Sequence, residues 1–300
     1  MDIDIALVPP AVLGAFESAL DREFVAERGR RGRLRSRYPL AFAAGGGCEF
    51  LVASRRGELV ACLATRSFEW RTPQRPWRGV MIGFVYTTPA ARGAGLGSRL
   101  LNAAREEFAR RSCEFAVLWS RLAGFYEAAG FQRADCGTFG RWSASHPTVS
   151  ALPGIALREL PATVLAELED LRRTRSPCAL ERRAPAWQTC PLPADEVRVL
   201  YSGPAGQPRT YVLFGVAATT RIVYEIVGDP ADCAALWTEL AEGAQEVLVN
   251  ESVGSATHQW LTSKVAMDWQ LQNLALWAPL TAEAREVDFG AWYLPWFDRL

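Results

Sequence analysis

Val85-Tyr86-Thr87-Thr88-Pro89-Ala90-Ala91-Arg92-Gly93-Ala94-Gly95-Leu96-Gly97-Ser98 is the stretch on which the reading of this chain turns. The apolar run before it, residues 79–87 (GVMIGFVYT), has the length and composition of a buried strand. After it, Leu96, Leu100, Leu101, Ala104 and Phe108 recur at helical spacing, which predicts a helix over residues 96–110. A strand that stops at Pro89 must turn, and Gly93, Gly95 and Gly97 allow a tight turn with room for a ligand against the backbone. The first N–H groups of the following helix have no partner within the helix. The helix dipole adds about half a positive charge at the same place. With Arg92 beside it, this junction is a cradle for phosphate, and a pyrophosphate is its natural ligand.

A glycine-rich turn is a weak signal alone. A P-loop would need Gly-Lys-Ser or Gly-Lys-Thr here, and none follows. A dinucleotide fold fits poorly, because residues 49–54 and 59–68 read as a hairpin around residues 55–58 and the glycines come late. A second element lies about thirty residues on. Residues 115–120 (FAVLWS) read as a short buried strand, followed by Ala123-Gly124-Phe125-Tyr126-Glu127-Ala128-Ala129-Gly130-Phe131.

Together, Val85-x-Thr87-x-Pro89-x-x-Arg92-Gly93-x-Gly95-x-Gly97 and the Phe125-Tyr126…Gly130-Phe131 element resemble the two signatures of the GNAT N-acetyltransferase superfamily. The resemblance is specific over about residues 48–142. Residues 175–187 (RSPCALERRAPAW) and 221–237 (RIVYEIVGDPADCAALW) are similar to the central region of the enhanced-intracellular-survival acetyltransferases. The chain is shorter than those proteins, and a counterpart of their C-terminal sterol-carrier-like domain is not expected in it. The resemblance implies an α/β (α+β) fold of two GNAT-like lobes, each a mixed, mostly antiparallel sheet with flanking helices. The expected division is a catalytic domain over residues 1–146 and a degenerate second domain over 147–300, joined by a Pro-containing linker at 143–154. The order of elements recurs weakly in the second half. There, Gly228-Asp229-Pro230 runs at once into a helix and offers no cradle, so one cofactor site per chain is expected.

The implied activity is transfer of an acetyl group from acetyl-CoA to a primary amine of a small molecule by direct attack. Acetylation of protein lysines or N-termini is the alternative, as is a non-catalytic CoA-binding module. Cofactor contacts are expected from Val85, Tyr86, Thr87, Arg92, Gly93, Ala94, Gly95, Leu96, Gly97 and Ser98, with main-chain N–H groups of 85–87 turned to the thioester oxygen. By the same resemblance Tyr126 would protonate the departing thiolate. Glu69, near a strand end, is one candidate base, and the carboxylate of Leu300 is another, since a C-terminal carboxylate enters the active site in the resembled family. Trp70, Trp77 and Trp119 are candidates for an acceptor pocket whose aromatic walls would suit a cationic amine.

Composition narrows the setting. Lys+Arg and Asp+Glu both number 33, which argues against nucleic acid or an anionic membrane as the main partner. No apolar run approaches the ~18–20 residues that span a bilayer, and the start (MDIDIALVPP) lacks the pattern of a signal peptide. The seven cysteines are scattered, and His146 and His258 are the only histidines, so neither a disulfide scaffold nor a metal site is expected. A reducing cytoplasm is the expected compartment, and self-assembly is left open. One motif stays apart from this account. Arg28, Arg30, Arg31, Arg33, Arg35 and Arg37, broken by Gly29 and Gly32, read either as a solvated, mobile loop or as an electropositive lid over an anionic ligand.

Overall fold

The computed structural model describes residues 3–14, 16–42, 47–145, 151–176, 178–182, 184–204 and 207–300. The strands are β1 (Asp4–Val8), β2 (Cys48–Arg55), β3 (Glu58–Arg71), β4 (Pro76–Thr87), β5 (Phe115–Trp119), β6 (Gln132–Arg133), β7 (Gly137–Ser143), β8 (Ile155–Ala156), β9 (Ala179–Leu180), β10 (Glu196–Ser202), β11 (Thr210–Ala217), β12 (Thr220–Val227), β13 (Glu246–Ser252), β14 (Asp268–Leu271) and β15 (Ala275–Pro279). The helices are α1 (Phe16–Phe24), α2 (Leu34–Arg37), α3 (Pro39–Phe42), α4 (Leu96–Arg110), α5 (Ala123–Glu127), α6 (Ala162–Arg175), α7 (Pro230–Ala241) and α8 (Ala256–Lys264).

Apolar residues at helical spacing, Val12, Leu13, Phe16, Leu20 and Phe24, do not make one helix: Pro10–Leu13 is a 3-10 turn, Gly14 takes φ 49, and α1 begins at Phe16. The aromatic stretch 289–296 is not a strand but holds the 3-10 turn Phe289–Ala291, where the Asp288 side chain accepts from the Gly290 N–H at 3.0 Å. A proline follows at 295.

The chain forms two compact units, and neither is a continuous half of the sequence. One comprises Met1–Asp135, Asn273–Trp292 and Arg299–Leu300; the other comprises Cys136–Gln272 and Tyr293–Asp298. The expected boundary at 146/147 falls among residues 146–150, outside the described residues. In the first unit the sheet runs β1-β2-β3-β4-β5-β15-β6, and in the second β8-β10-β11-β12-β13-β7-β14. The two orders correspond position by position. Each has one parallel pair at its centre, β4 with β5 and β12 with β13, among antiparallel neighbours. The next strand is exchanged: β15 pairs antiparallel with β5, and β7 with β13. The two-lobed, mostly antiparallel α/β architecture is therefore present, with β15 of the first sheet drawn from the far part of the sequence and β7 of the second from the start of its own segment.

In the first unit α4 covers one face of the sheet. Leu96, Leu100, Leu101, Ala104 and Phe108 are buried against Leu51, Ala53, Ala61, Leu63, Val80 and Ile82. Each such large side chain contributes roughly 1.5–3 kcal/mol by leaving water, which fixes the helix and hence the turn that precedes it. In the second unit apolar clusters cover both faces of the sheet, one centred on Phe214, Val223 and Trp237 and the other on Leu213, Tyr224 and Phe297. Among the described residues no helix is long and apolar enough to cross a membrane.

Candidate active site

β4 and β5 lie side by side for only part of their length. Their parallel register covers Gly79↔Phe115, Val80↔Ala116 and Met81↔Val117 and ends there, although β4 continues to Thr87 and β5 to Trp119. Beyond Met81 and Val117 the strands form a fork, and main-chain groups on the facing edges are left for another partner.

A bulge shapes the β4 side of the fork. Against β3 the register passes from Ala64↔Gly83 to Cys62↔Tyr86, so β4 carries one extra residue. Phe84 takes φ 47 there. A left-handed aromatic residue is strained by about 1–2 kcal/mol. The ring is held in place by edge-on or tilted contacts with Phe24, Tyr38 and Phe42.

After Thr87 the chain makes a 3-10 turn, Pro89–Ala91, and reaches the glycines. Gly93 and Gly95 take φ +78 and +71, and a Cβ on either would meet nothing within 4 Å. Gly95 is the N-cap of α4, where no side chain caps the helix and the first turn holds no acid. The N-terminal donors of α4 are thus left without a capping side chain. Arg92 through Gly95 are exposed, while Leu96 is buried, so Leu96 can offer a ligand only its main chain. Tyr86 is likewise buried and packs edge-on against Phe16. Gly97 differs from the other two glycines: a Cβ there would lie 2.8 Å from Phe125 Cζ. The Arg92 guanidinium donates to the Thr87 carbonyl at 3.1 Å and pairs with Glu23 at 3.0 Å, tying α1 to the end of β4.

The far side of the fork carries Tyr126. It is buried on α5, edge-on to Phe125 and Phe131. Burial pushes its phenol above the ordinary range, and a hydrogen bond between the Ser120 and Tyr126 side chains opposes that shift. Ser120 directly follows β5, and its hydroxyl oxygen also accepts from the Leu122 N–H at 3.0 Å, which fixes its position.

The last two residues reach both prongs. The Arg299 guanidinium lies 4.9 Å from the Trp119 ring centroid, at the end of β5. A Cβ on Gly83 would lie 2.8 Å from the Leu300 main-chain oxygen, so Leu300 rests on β4 beside the bulge. Tyr126, Trp119 and Leu300 therefore border the fork. Glu69 and the other two tryptophans do not. Glu69 pairs with Arg78 and Trp70 with Trp77, five and six residues along β3 from the Ala64–Gly83 pair, about 17–20 Å of strand. Trp70 is fully buried in a cluster with Trp77, Phe115 and Trp292, and Arg75 stacks 3.5 Å above Trp77.

Phe84, Ser120 and Gly83 carry no separate signal in the sequence. A bulge and a terminal residue resting on a strand are non-local features, and Ser120 would have been found only by reading the strand end and the Phe-Tyr element as one device.

In the second unit β12 also has an extra residue against β11, between Leu213↔Glu225 and Phe214↔Val223, and its parallel pairing with β13 ends at Val223↔Val249. The place of the cradle is closed, since a Cβ on Gly228 would run into Thr210.

Residues 18–134 match the acetyltransferase (GNAT) domain family. No curated protein sequence matches the chain. Among solved structures, a conserved protein from Enterococcus faecalis V583 described as a probable N-acyltransferase is similar with TM-score 0.72 and 14% identity, over 95% of this chain and 74% of that one. Eis1 from Mycobacterium abscessus has TM-score 0.60 and 15% identity, over 94% and 75%. A tandem GNAT protein from the clavulanic acid biosynthesis pathway has TM-score 0.52 and 12% identity, over 93% and 99%. The fork, the bulge and the open glycine turn thus lie within residues 18–134, the stretch that matches the acetyltransferase (GNAT) domain family, in a chain whose fold is similar to those of two-lobed GNAT proteins.

Proposed function

We propose that the first unit transfers the acetyl group of acetyl-CoA to a primary amine of a small molecule. One observation carries the reading: β4, which parts from β5 after Met81, runs through the turn Pro89–Ala91 straight into the open glycine turn at the uncapped start of α4. Main-chain N–H groups of Gly93 to Ser98 would hold the diphosphate, and the bulged segment Val85–Thr87 would hold the pantetheine arm. Acetyl-CoA supplies the activated acyl group as a thioester. The space beside Gly93 and Gly95 supports this fit, because a bulky ligand needs a backbone it can approach.

The protein acts by position and by protons. Holding amine and thioester in one fork supplies proximity. Main-chain donors on the bulged edge would stabilise the oxygen that gains charge, worth about 10²–10³ in rate. Tyr126 keeps its proton at neutral pH, because burial raises it, and so can give it to the departing sulfur. Leu300, whose main chain lies beside Gly83, would close the acceptor side of the fork next to the bulge. Trp119 would wall the acceptor side.

Release of free thiol from acetyl-CoA, followed with a panel of small amines and with lysine-containing peptides, tests the reading. Turnover of small amines above peptides is expected. CoA binding without turnover of any amine would leave only a binding module.

A further inference from the structure

We propose that the acceptor amine carries an anionic group, a carboxylate or a phosphate, recognised by Arg30, Arg31 and Arg33. This rests on the acetyltransferase reading above and names its substrate class.

The arginine segment is a folded feature of the first unit. Arg37 is buried and donates to the Arg31 carbonyl at 2.6 and 3.0 Å. Arg35 clasps Glu17 at 2.6 and 3.0 Å and donates to the Phe42 carbonyl at 2.8 Å. The Asp21 carboxylate accepts from the Leu34 N–H at 2.7 Å. Leu34 is fully buried. The segment is thereby pinned at both flanks.

Its place is defined by Phe84. Phe24, before the arginines, and Tyr38, after them, both set their rings edge-on against Phe84, at 5.5 and 5.2 Å. Phe84 is the bulged residue, next to Gly83 and the Leu300 contact. Both flanks of the arginine tip therefore pack at the bulge of β4, and Glu23 on the first flank also reaches Arg92 at the start of the glycine turn.

The charge there is not spent. Arg30, Arg31 and Arg33 are exposed, and their guanidinium groups have no ion-pair or hydrogen-bond partner among the described residues. The acids of α1 are engaged: Glu17 with Arg35, Asp21 with the Leu34 N–H, and Glu23 with Arg92. Each of the three free guanidiniums on this pinned turn is a planar forked donor suited to carboxylate or phosphate. They also repel a polycation.

The test uses the full chain and four amines: β-alanine, β-alaninamide, phosphoethanolamine and putrescine. Rates of thiol release and calorimetric binding to the CoA-saturated protein are measured for wild type and for the triple variant Arg30→Gln, Arg31→Gln, Arg33→Gln. β-Alanine or phosphoethanolamine should exceed β-alaninamide at least tenfold in kcat/KM, and the better of the two identifies the anion. The triple variant should lose that preference tenfold or more, with KM for acetyl-CoA within twofold of wild type. A rise in KM for acetyl-CoA with the acceptor preference intact would assign the arginines to the coenzyme and overturn the inference. Preference for putrescine or β-alaninamide would overturn it while leaving the acetyltransferase reading standing. Absence of any CoA binding would overturn both.

Discussion

Gly83 leaves room for Leu300: a Cβ at position 83 would stand 2.8 Å from the Leu300 main-chain oxygen and 2.9 Å from its main-chain carbon. The obstacle is backbone, which yields poorly. Gly83→Ala should displace Leu300 and slow turnover at least tenfold, with CoA affinity within about threefold of wild type. The overpacking should cost roughly 1–3 kcal/mol. Steady-state rates, CoA calorimetry and thermal unfolding on the same preparation separate the effects.

The glycines of the turn should differ in kind. Alanine at Gly93 or Gly95 meets no atom but must adopt a left-handed backbone, at about 1–2 kcal/mol each. Both variants should weaken CoA binding, because relief of that strain deforms the cradle. Gly97→Ala is opposed by Phe125, so its effect should be relieved by Phe125→Ala. A double-mutant cycle on CoA affinity at 97 and 125 checks this coupling.

Tyr126→Phe should lower turnover about 10²-fold or more and leave CoA binding intact. Burial raises the Tyr126 phenol above its ordinary range, so the acid stays protonated at neutral pH and its loss should appear as an alkaline limb above about pH 10. Ser120 opposes the shift, so Ser120→Ala should move that limb to higher pH still. The same raised phenol stabilises the fold below its unfolded-state value and loses that contribution as pH climbs through the folded one. The pH–rate profiles of the three proteins are the measurement.

In the second unit Arg182 is fully buried between Glu225 and Asp298, donating to each carboxylate through two nitrogens. Arg182→Met strands two buried carboxylates and should cost about 3–5 kcal/mol, read from denaturant unfolding. Nearby, burial pushes the Glu251 carboxyl up to about 7. A carboxyl raised on folding favours the native state at low pH, and that advantage fades as pH rises through 7. Glu251→Gln should flatten the fall in stability between about pH 5 and pH 8.

Much of this was legible locally. The span of α4 followed from the spacing of Leu96, Leu100, Leu101, Ala104 and Phe108, and the turn before it from three glycines. Non-local pairing was not legible. Nothing in residues 137–143 announces a partner at 246–252, nor in 275–279 one at 115–119, because exchanged strands have the same alternation as any others. The tryptophans at 70 and 77 were misleading for a related reason. Aromatic content says that a side chain is buried, whereas only the register of β3 on β4 tells how far along the hairpin it lies. The arginine run divided in two once folded, since Arg35 and Arg37 brace the turn that presents Arg30, Arg31 and Arg33.

The central claim is that the open turn at the head of α4 grips a CoA thioester. Isothermal titration of the folded chain with acetyl-CoA measures it most directly. One molecule should bind per chain, with affinity lowered by alanine at Gly93 or Gly95. Titration to millimolar acetyl-CoA with no heat, or with heat unchanged in both glycine variants, would contradict the account.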